Sequence, residues 1–208
     1  MTMSFAVKDG VPSMRFETRD SASMLFRQVG IDLAAYPMLS WRWYIELPIK
    51  SPLDERMREG DDHPARLFLR FLTDRSEQRA MEVIWGNRLK PGAHKYIGGF
   101  PHFVADAGDD QVGHWLDERI DLARVYAEIW KDAAPAHLVD VAVFCDSDDA
   151  HTASISYFAY GRLERRRGSD ACRRRARDRV FAFHDEEKVG PRMIARIARH
   201  TGLRPNDL

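Results

Sequence analysis

The sequence predicts an all-β protein, an antiparallel β-sandwich with one packed helix. Seven or more short segments alternate apolar and polar residues, whereas only one segment has the spacing of an amphipathic helix. Successive side chains of a strand point to opposite faces, so this alternation indicates strands with one buried face. The regular exchange of strands and helices that marks parallel α/β folds is missing. Many short, evenly spaced strands are typical of sandwiches and barrels.

The clearest strand covers residues 39–47. One face carries the apolar side chains of Leu39, Trp41, Trp43, Ile45 and Leu47, and the other carries Ser40, Arg42, Tyr44 and Glu46. Large aromatic side chains bury much apolar surface. We therefore expect this strand to lie at the centre of the core.

The remaining elements follow from the same patterns. Shorter strands are predicted at residues 12–18, 23–29, 66–71, 80–85, 102–105, 138–145 and 152–160. The helix is predicted at 121–132 with Asp121 as its N-cap. Its apolar side chains recur at helical spacing and share one face: Leu122, Val125, Tyr126, Ile129 and Trp130.

Charge divides the chain into two parts. Lys plus Arg and Asp plus Glu both total 32, so the formal net charge is zero, but nine arginines fall between residues 162 and 179. The prediction is a sandwich domain at 1–161 and a basic, partly disordered extension at 162–208, with a short helix near 191–201. A run of like charges is usually solvated. The alternative is that these arginines bind nucleic acid, which would be non-specific phosphate binding.

The sequence gives two indications of the compartment. No apolar run is long enough to span a membrane, and the first residues lack the apolar core of a secretory signal. The chain as written is therefore expected to be cytoplasmic, or exported if its native N-terminus is missing. Cys145 and Cys172 do not form a disulfide framework. Cys145 ends an apolar run and is expected to be buried, and Cys172 is expected to be exposed.

Several short motifs, taken in order and spacing, resemble one family. They are Ser21-Ala22-Ser23, Leu39-Ser40-Trp41-Arg42-Trp43, Asp61-Asp62 followed by Ala65-Arg66-Leu67, Ile84-Trp85-Gly86, and Asp146-Ser147-Asp148-Asp149. Together they resemble the bacterial domain-of-unknown-function 3047 family over roughly residues 12–160. The resemblance implies a β-sandwich of jelly-roll type and brings no assigned activity.

The first candidate site is the hairpin loop that contains Asp146, Asp148 and Asp149. Three carboxylates offer the hard oxygen ligands that Ca²⁺ takes. The spacing is not that of an EF-hand, whose sixth and twelfth positions would here be His151 and Tyr157. The alternative is an ordinary turn, because Asp and Ser hydrogen-bond to their own backbone.

The second candidate is the loop pair Asp61 and Asp62. Such a pair could bind a polar ligand or contribute to a metal site beside the first loop, or it could simply form a turn. If the carboxylates lie close together, each raises the pKa of the other, which suits acid–base chemistry.

Aromatic residues form a third candidate. The alternation places Trp41, Trp43 and Trp85 in the core rather than at a sugar-binding surface. Arg42, Tyr44 and Tyr160 lie on the opposite faces of their strands, so Tyr44 and Tyr160 are the better candidates for an exposed platform. We therefore predict ligand binding by Asp61, Asp62, Arg42, Tyr44 and Tyr160.

The function predicted from these residues is a non-catalytic module that binds a carbohydrate or another polar ligand, with Ca²⁺ as the candidate cofactor. One alternative is a carbohydrate-active hydrolase or lyase, whose loop carboxylates would face each other at roughly 5–10 Å. A second alternative is a structural or protein-interaction domain. No zinc, nucleotide or nucleophile motif is found, and no catalytic residue is nominated.

Overall fold

A computed structural model describes residues 1–131 and 136–166, together with the backbone of 179–181. The helix predicted near 191–201, most of the basic extension and the position of Cys172 lie outside the described residues. Within the described part, no helix combines the length and apolar character that a membrane crossing requires.

Twelve strands and one helix make up the described structure. The strands are β1 Thr2–Lys8, β2 Val11–Arg19, β3 Ser23–Asp32, β4 Met38–Leu47, β5 Arg66–Thr73, β6 Gln78–Gly86, β7 His94–Ile97, β8 Phe100–Ala107, β9 Trp115–Asp121, β10 Ala136–Cys145, β11 Ala153–Glu164 and β12 Arg179–Phe181. The helix α1 spans Leu122–Trp130, and short 3₁₀ turns occur at Arg58–Gly60 and Asp109–Gln111. The predicted all-β class with a single α-helix is confirmed.

The strands form two six-stranded sheets. Sheet A has the order β1-β2-β11-β4-β9, with β12 beside β11, and all its pairs are antiparallel. The tryptophan strand β4 lies between β11 and β9, and Trp43 is directly opposite Phe158 and Leu116. The strand predicted to end at residue 160 continues to Glu164, where its last residues pair with β12.

Sheet B has the order β3-β10-β5-β6-β8-β7. Its pairs are antiparallel except β6–β8, which is parallel, so sheet B is a mixed sheet within a sandwich that is otherwise antiparallel. After β6 the chain crosses to the sheet edge and forms the β7–β8 hairpin. Gly98 and Gly99 close this hairpin with φ values of 57° and 89°, which suit glycine. The jelly-roll connectivity implied by the resemblance stays a prediction.

The core lies between the inner faces of the two sheets, meaning the faces that point toward each other. Trp41, Trp43 and Trp85 are fully buried there. Trp43 makes edge-to-face contacts with Trp41 at 5.2 Å and with Trp85 at 5.9 Å between ring centroids. The prediction that these tryptophans form the core is confirmed.

The predicted helix is confirmed. Asp121 caps it, since its Oδ1 accepts a hydrogen bond from the backbone N–H of Arg124 at 3.1 Å. The helix ends at Lys131, which has a left-handed backbone. Tyr126 packs on Phe71 at 5.0 Å, so α1 covers one end of the core. The loops after β4, β6 and β10 lie at the opposite end, here called the loop end.

One carboxyl group faces the core from sheet A. Glu118 in β9 is opposite Trp41, and its Oε1 accepts a hydrogen bond from Trp43 Nε1 at 3.1 Å. Burial raises the pKa of Glu118 to about 7, and the carboxylate of Asp106 in β8 adds to the shift. The folded protein therefore keeps this proton at a pH where the unfolded chain has lost it.

Replacing Glu118 by glutamine is expected to stabilise the protein at pH 8 and to leave it nearly unchanged at pH 4. The stability contributed by a raised pKa is complete below the ordinary value of 4.5 and is lost as pH rises through 7. Because Glu118 is partly solvated, the gain at pH 8 should be only about 1 kcal/mol. Urea unfolding at both pH values measures it. The exposed Asp110→Asn is the control, and a destabilised E118Q variant at pH 8 would contradict the argument.

Candidate functional site

The two predicted aspartate loops lie side by side at the loop end. The backbone N–H of His63 donates to Asp146 Oδ1 at 2.9 Å. In return, the backbone N–H groups of Asp149 and Ala150 donate to the carboxylate of Asp62, at 3.3 and 2.7 Å. The β4–β5 and β10–β11 loops are therefore joined by hydrogen bonds in both directions.

Three carboxylates meet at this junction. One oxygen each from Asp62, Asp146 and Asp148 lies within 4.8 Å of the others, with Asp62 and Asp146 buried and Asp148 partly exposed. We call these three residues the acidic triad. The metal set predicted from the sequence was Asp146, Asp148 and Asp149. In the triad Asp62 joins the first two, and Asp149 contributes its backbone N–H to Asp62 instead.

The carboxyl groups around the triad are short of positive charge. Burial raises the pKa of Asp62, and of Asp146 despite the opposing charge of Arg66. The pKa of Asp149 rises to about 6, from burial first and then from the carboxylates of Asp62 and Asp148. A bound cation would stabilise the charged form of every one of these groups.

A buried ionic cluster lies directly behind the triad. It is built on the outer face of sheet B, where Glu82 of β6 pairs with His102 of β8, and His102 pairs with Lys95 of β7. The loop between β4 and β5 covers these side chains. All members of the cluster are at most 8% exposed: Glu55, Asp61, His63, Arg66, Glu82, Lys95, His102 and Asp146.

Arg66 connects the triad to the cluster. Its Nε donates to Asp146 Oδ1 at 2.9 Å and its Nη1 donates to Glu82 Oε2 at 2.8 Å. Its Nη1 is also 3.7 Å from Asp61 Oδ2. Burial opposes the charge on Arg66, but these three carboxylates outweigh it and hold the pKa of Arg66 well above its ordinary value.

Lys95 uses all three of its ammonium hydrogens. The acceptors are the carbonyl oxygen of Glu55 at 2.6 Å, His63 Nε2 at 2.7 Å and the carboxylate of Asp61.

His63 Nδ1 lies 2.7 Å from the carbonyl oxygen of Trp85, so Nδ1 carries the proton and Nε2 accepts. Burial, then the charges of Lys95 and Arg66, hold the pKa of His63 well below its ordinary value. His63 is therefore neutral.

His102 and Glu55 complete the cluster. His102 Nδ1 is 3.1 Å from the carbonyl oxygen of Phe100, and Nε2 is 3.3 Å from Glu82 Oε2. Both ring nitrogens thus lie near oxygen atoms. The carboxylate of Glu55 accepts three consecutive backbone N–H groups, those of residues 87–89, at 2.5–2.8 Å.

Negative charge exceeds positive charge across the triad and the cluster. The basic side chains of the cluster that pair with its carboxyl groups are Arg66 and Lys95. Six carboxyl groups face them: Glu55, Asp61, Asp62, Glu82, Asp146 and Asp148. Such an excess in a largely buried region is costly unless a cation or a proton compensates it.

The predicted ligand-binding residues divide between two separate places. Asp61 and Asp62 belong to the loop end beside sheet B. Arg42, Tyr44 and Tyr160 lie on the outer face of sheet A, beyond the core, so the five residues do not form one site.

The aromatic platform expected on sheet A is only partly present. Tyr160 is 39% exposed, as expected, but Tyr44 is only 7% exposed, so its expected exposure is wrong. Tyr44 packs against Trp115 and Tyr157, and Lys8 Nζ lies over its ring at 4.6 Å. Arg42 pairs with Asp117 at 2.8 Å.

A cleft opens among the loops of the loop end, and no residue of the acidic triad lines it. Its volume is about 420 Å³, within the size range of small-molecule sites. The side-chain amide of Asn87, in the cleft wall, donates to the backbone oxygen of Asp62 at 2.7 Å. The cleft is lined by Ile49, Lys50, Ser51, Pro52, Asn87, Arg88 and Asp109.

Sequence reasoning missed most of the ionic cluster. The side chain of Arg66 points outward from its strand, away from the core, but the loop above buries it. The available signal was a charged residue inside an otherwise apolar strand, as with Glu82 between Met81 and Val83. The residues not nominated were Glu55, Arg66, Glu82, Lys95 and His102, whereas His63 was noted as the neighbour of the Asp61–Asp62 pair.

The comparison with protein families gives one match. The family model described as "Protein of unknown function (DUF3047)" matches residues 2–161, more than half of the chain. No curated protein gives a significant match. The match covers β1 to β10, most of β11, the acidic triad and the ionic cluster. The chain belongs to the DUF3047 family.

Proposed function

We propose that this protein is a non-catalytic binding module that holds Ca²⁺ with the acidic triad and binds a polar ligand, such as a carbohydrate, at the loop end. The observation that carries the proposal is the convergence of Asp62, Asp146 and Asp148 from two loops, with oxygens within 4.8 Å. The backbone N–H groups of Asp149 and Ala150 hold the Asp62 carboxylate in place.

The donor atoms favour a hard cation. Ca²⁺ takes six to eight oxygen ligands in flexible geometry, and the triad supplies only carboxylate oxygens. A carboxylate oxygen has two acceptor positions, so Asp62 can bind an ion while it accepts its backbone N–H groups. His63, the nearest imidazole in sequence, has both ring nitrogens engaged and offers no nitrogen ligand.

The coordination number supports a role in ligand binding. Three carboxylates supply between three and six of the six to eight oxygens that Ca²⁺ requires. The remaining positions are open to water or to the hydroxyl groups of a ligand, and Asp148 provides an exposed side. The cleft of about 420 Å³ at the same end of the molecule is large enough for a small polar ligand.

The geometry favours this function over the hydrolase alternative. A glycosidase separates its two carboxyl groups by roughly 5–10 Å so that a sugar and a water fit between them. The triad oxygens are within 4.8 Å of one another, and two of the three residues are buried. That spacing suits an ion better than a sugar ring.

Calcium is expected to raise the melting temperature, and the chelator EDTA is expected to reverse the effect. Binding to the folded state alone stabilises it by about 2.7 kcal/mol at a hundred times Kd. The Asp148→Asn variant should lose the response but still fold, because Asp148 is partly exposed. Asp110→Asn, an exposed carboxylate in another loop, is the control. Identical melting curves with Ca²⁺ and with EDTA, and no heat of Ca²⁺ binding by calorimetry, would refute the proposal.

A further inference from the structure

Strand β1 is an edge strand, and two of its apolar side chains are largely exposed. It pairs with β2 on one side, and no described strand pairs with its other side. Phe5 and Val7 are 57% and 72% exposed. Both lie on the inner face of sheet A, because Phe5 is opposite the buried Met14, but sheet B does not reach over them.

The other described sheet edges carry features that oppose pairing. Natural proteins protect edges with charges, short strands or bulges. Strand β7 has only four residues, and β3 contains Arg27, Gly30 and Asp32. Strand β9 carries Asp117, Glu118, Arg119 and Asp121. In contrast, β1 has no charged residue before Lys8.

The β1 sequence complements itself in antiparallel register. A two-fold axis at Phe5 places Phe5 opposite Phe5, Met3 opposite Val7 and Ser4 opposite Ala6. The large apolar side chains then share one face, the small side chains of Ser4 and Ala6 share the other, and Lys8 is opposite Thr2. No like charges meet, and the contact closes on itself as an isologous interface.

We propose that two copies of this chain pair through β1, which joins their A sheets into one continuous sheet across a two-fold axis. The strand that pairs with β1 is therefore β1 of a second copy, because the register is self-complementary and the strand has no charged residue before Lys8. A phenylalanine can bury roughly 150–250 Å², and more than half of Phe5 is available. An interface of one strand per copy belongs to the small, weak and reversible class.

Sedimentation velocity from about 10 µM to about 1 mM tests the proposal, a range chosen for an interface of the weak class. The wild type should shift from monomer to dimer, and Phe5→Lys should stay monomeric with an unchanged melting temperature, because Phe5 is exposed. Tyr96→Lys, which adds the same charge at an exposed aromatic residue of the other sheet's edge, should dimerise like the wild type. A monomeric wild type, a dimeric Phe5→Lys variant, or assemblies beyond the dimer would each overturn the proposal.

Cysteine cross-linking tests the register. Directly opposite residues of antiparallel strands have Cα atoms about 4.5–5.5 Å apart, within disulfide range. In a Cys172→Ser background, Phe5→Cys should therefore form a disulfide-linked dimer. Two copies of Met3→Cys would lie four residues out of register, about 13 Å apart, and should stay reduced. Equal cross-linking of the two variants would exclude this register.

Discussion

Replacing Arg66 by methionine is expected to destabilise the folded protein by about 3–5 kcal/mol. Arg66 is 1% exposed and contacts Asp146, Glu82 and Asp61. Without the guanidinium, three buried carboxylates lose their main counter-charge while methionine fills a similar volume. Urea unfolding at pH 7 measures the loss.

Two variants separate this electrostatic effect from packing. Arg75→Met removes an exposed arginine from a turn and should change stability by less than about 0.5 kcal/mol. The triple variant R66M/E82Q/D146N also removes the charge of two carboxylates that have lost their counter-charge. It should therefore recover part of the lost stability. A loss below about 1 kcal/mol in the single variant would show that the cluster is not held by Arg66.

Replacing Trp43 by alanine is expected to cost about 3–5 kcal/mol. Trp43 is fully buried among Trp41, Trp85 and Phe158, which come from both sheets. The change leaves a cavity where the sheets meet and removes the indole N–H that donates to Glu118. Denaturant unfolding should show a lower midpoint with a similar slope.

Trp43→Phe should fall between the wild type and Trp43→Ala, because it keeps a ring but not the donor. Tyr160→Ala, which removes a 39% exposed aromatic side chain from the neighbouring strand β11, is the control and should have a small effect. If Trp43→Ala and Tyr160→Ala were equally destabilised, Trp43 would not be the centre of the core.

Side-chain alternation was sufficient to predict the core. Because a strand exposes alternate residues to opposite faces, the sequence around Trp41 and Trp43 placed both rings inward. The same rule failed at Leu47, which is 41% exposed. The pairing shifts by one residue there, because β4 advances two residues from Ile45 to Leu47 while β11 advances only one, from Ser156 to Ile155. The alternation in the sequence of β4 does not indicate this bulge.

The candidate site was only partly predictable. Asp62, Asp146 and Asp148 were nominated, but their proximity depends on how two sheets pack, which local patterns do not encode. Asp149 was nominated for its carboxylate, whereas turn geometry gives its backbone N–H the contact with Asp62. Lys95 and His102 lie on the polar faces of their strands, and such faces are normally exposed to solvent. Only the covering loop makes them buried.

The carboxylate of Glu55 fills a site that three consecutive backbone amides would otherwise offer to an external anion. Backbone N–H groups that donate to a carboxylate thus attach the covering loop to sheet B, in the way that such groups bind phosphate in other proteins. Opening the loop would expose these amides, the Lys95 ammonium and several carboxylates at once. Local opening free energies range from near zero up to that of global unfolding. Because opening would expose so many buried polar groups, we expect this loop to open only near the free energy of global unfolding.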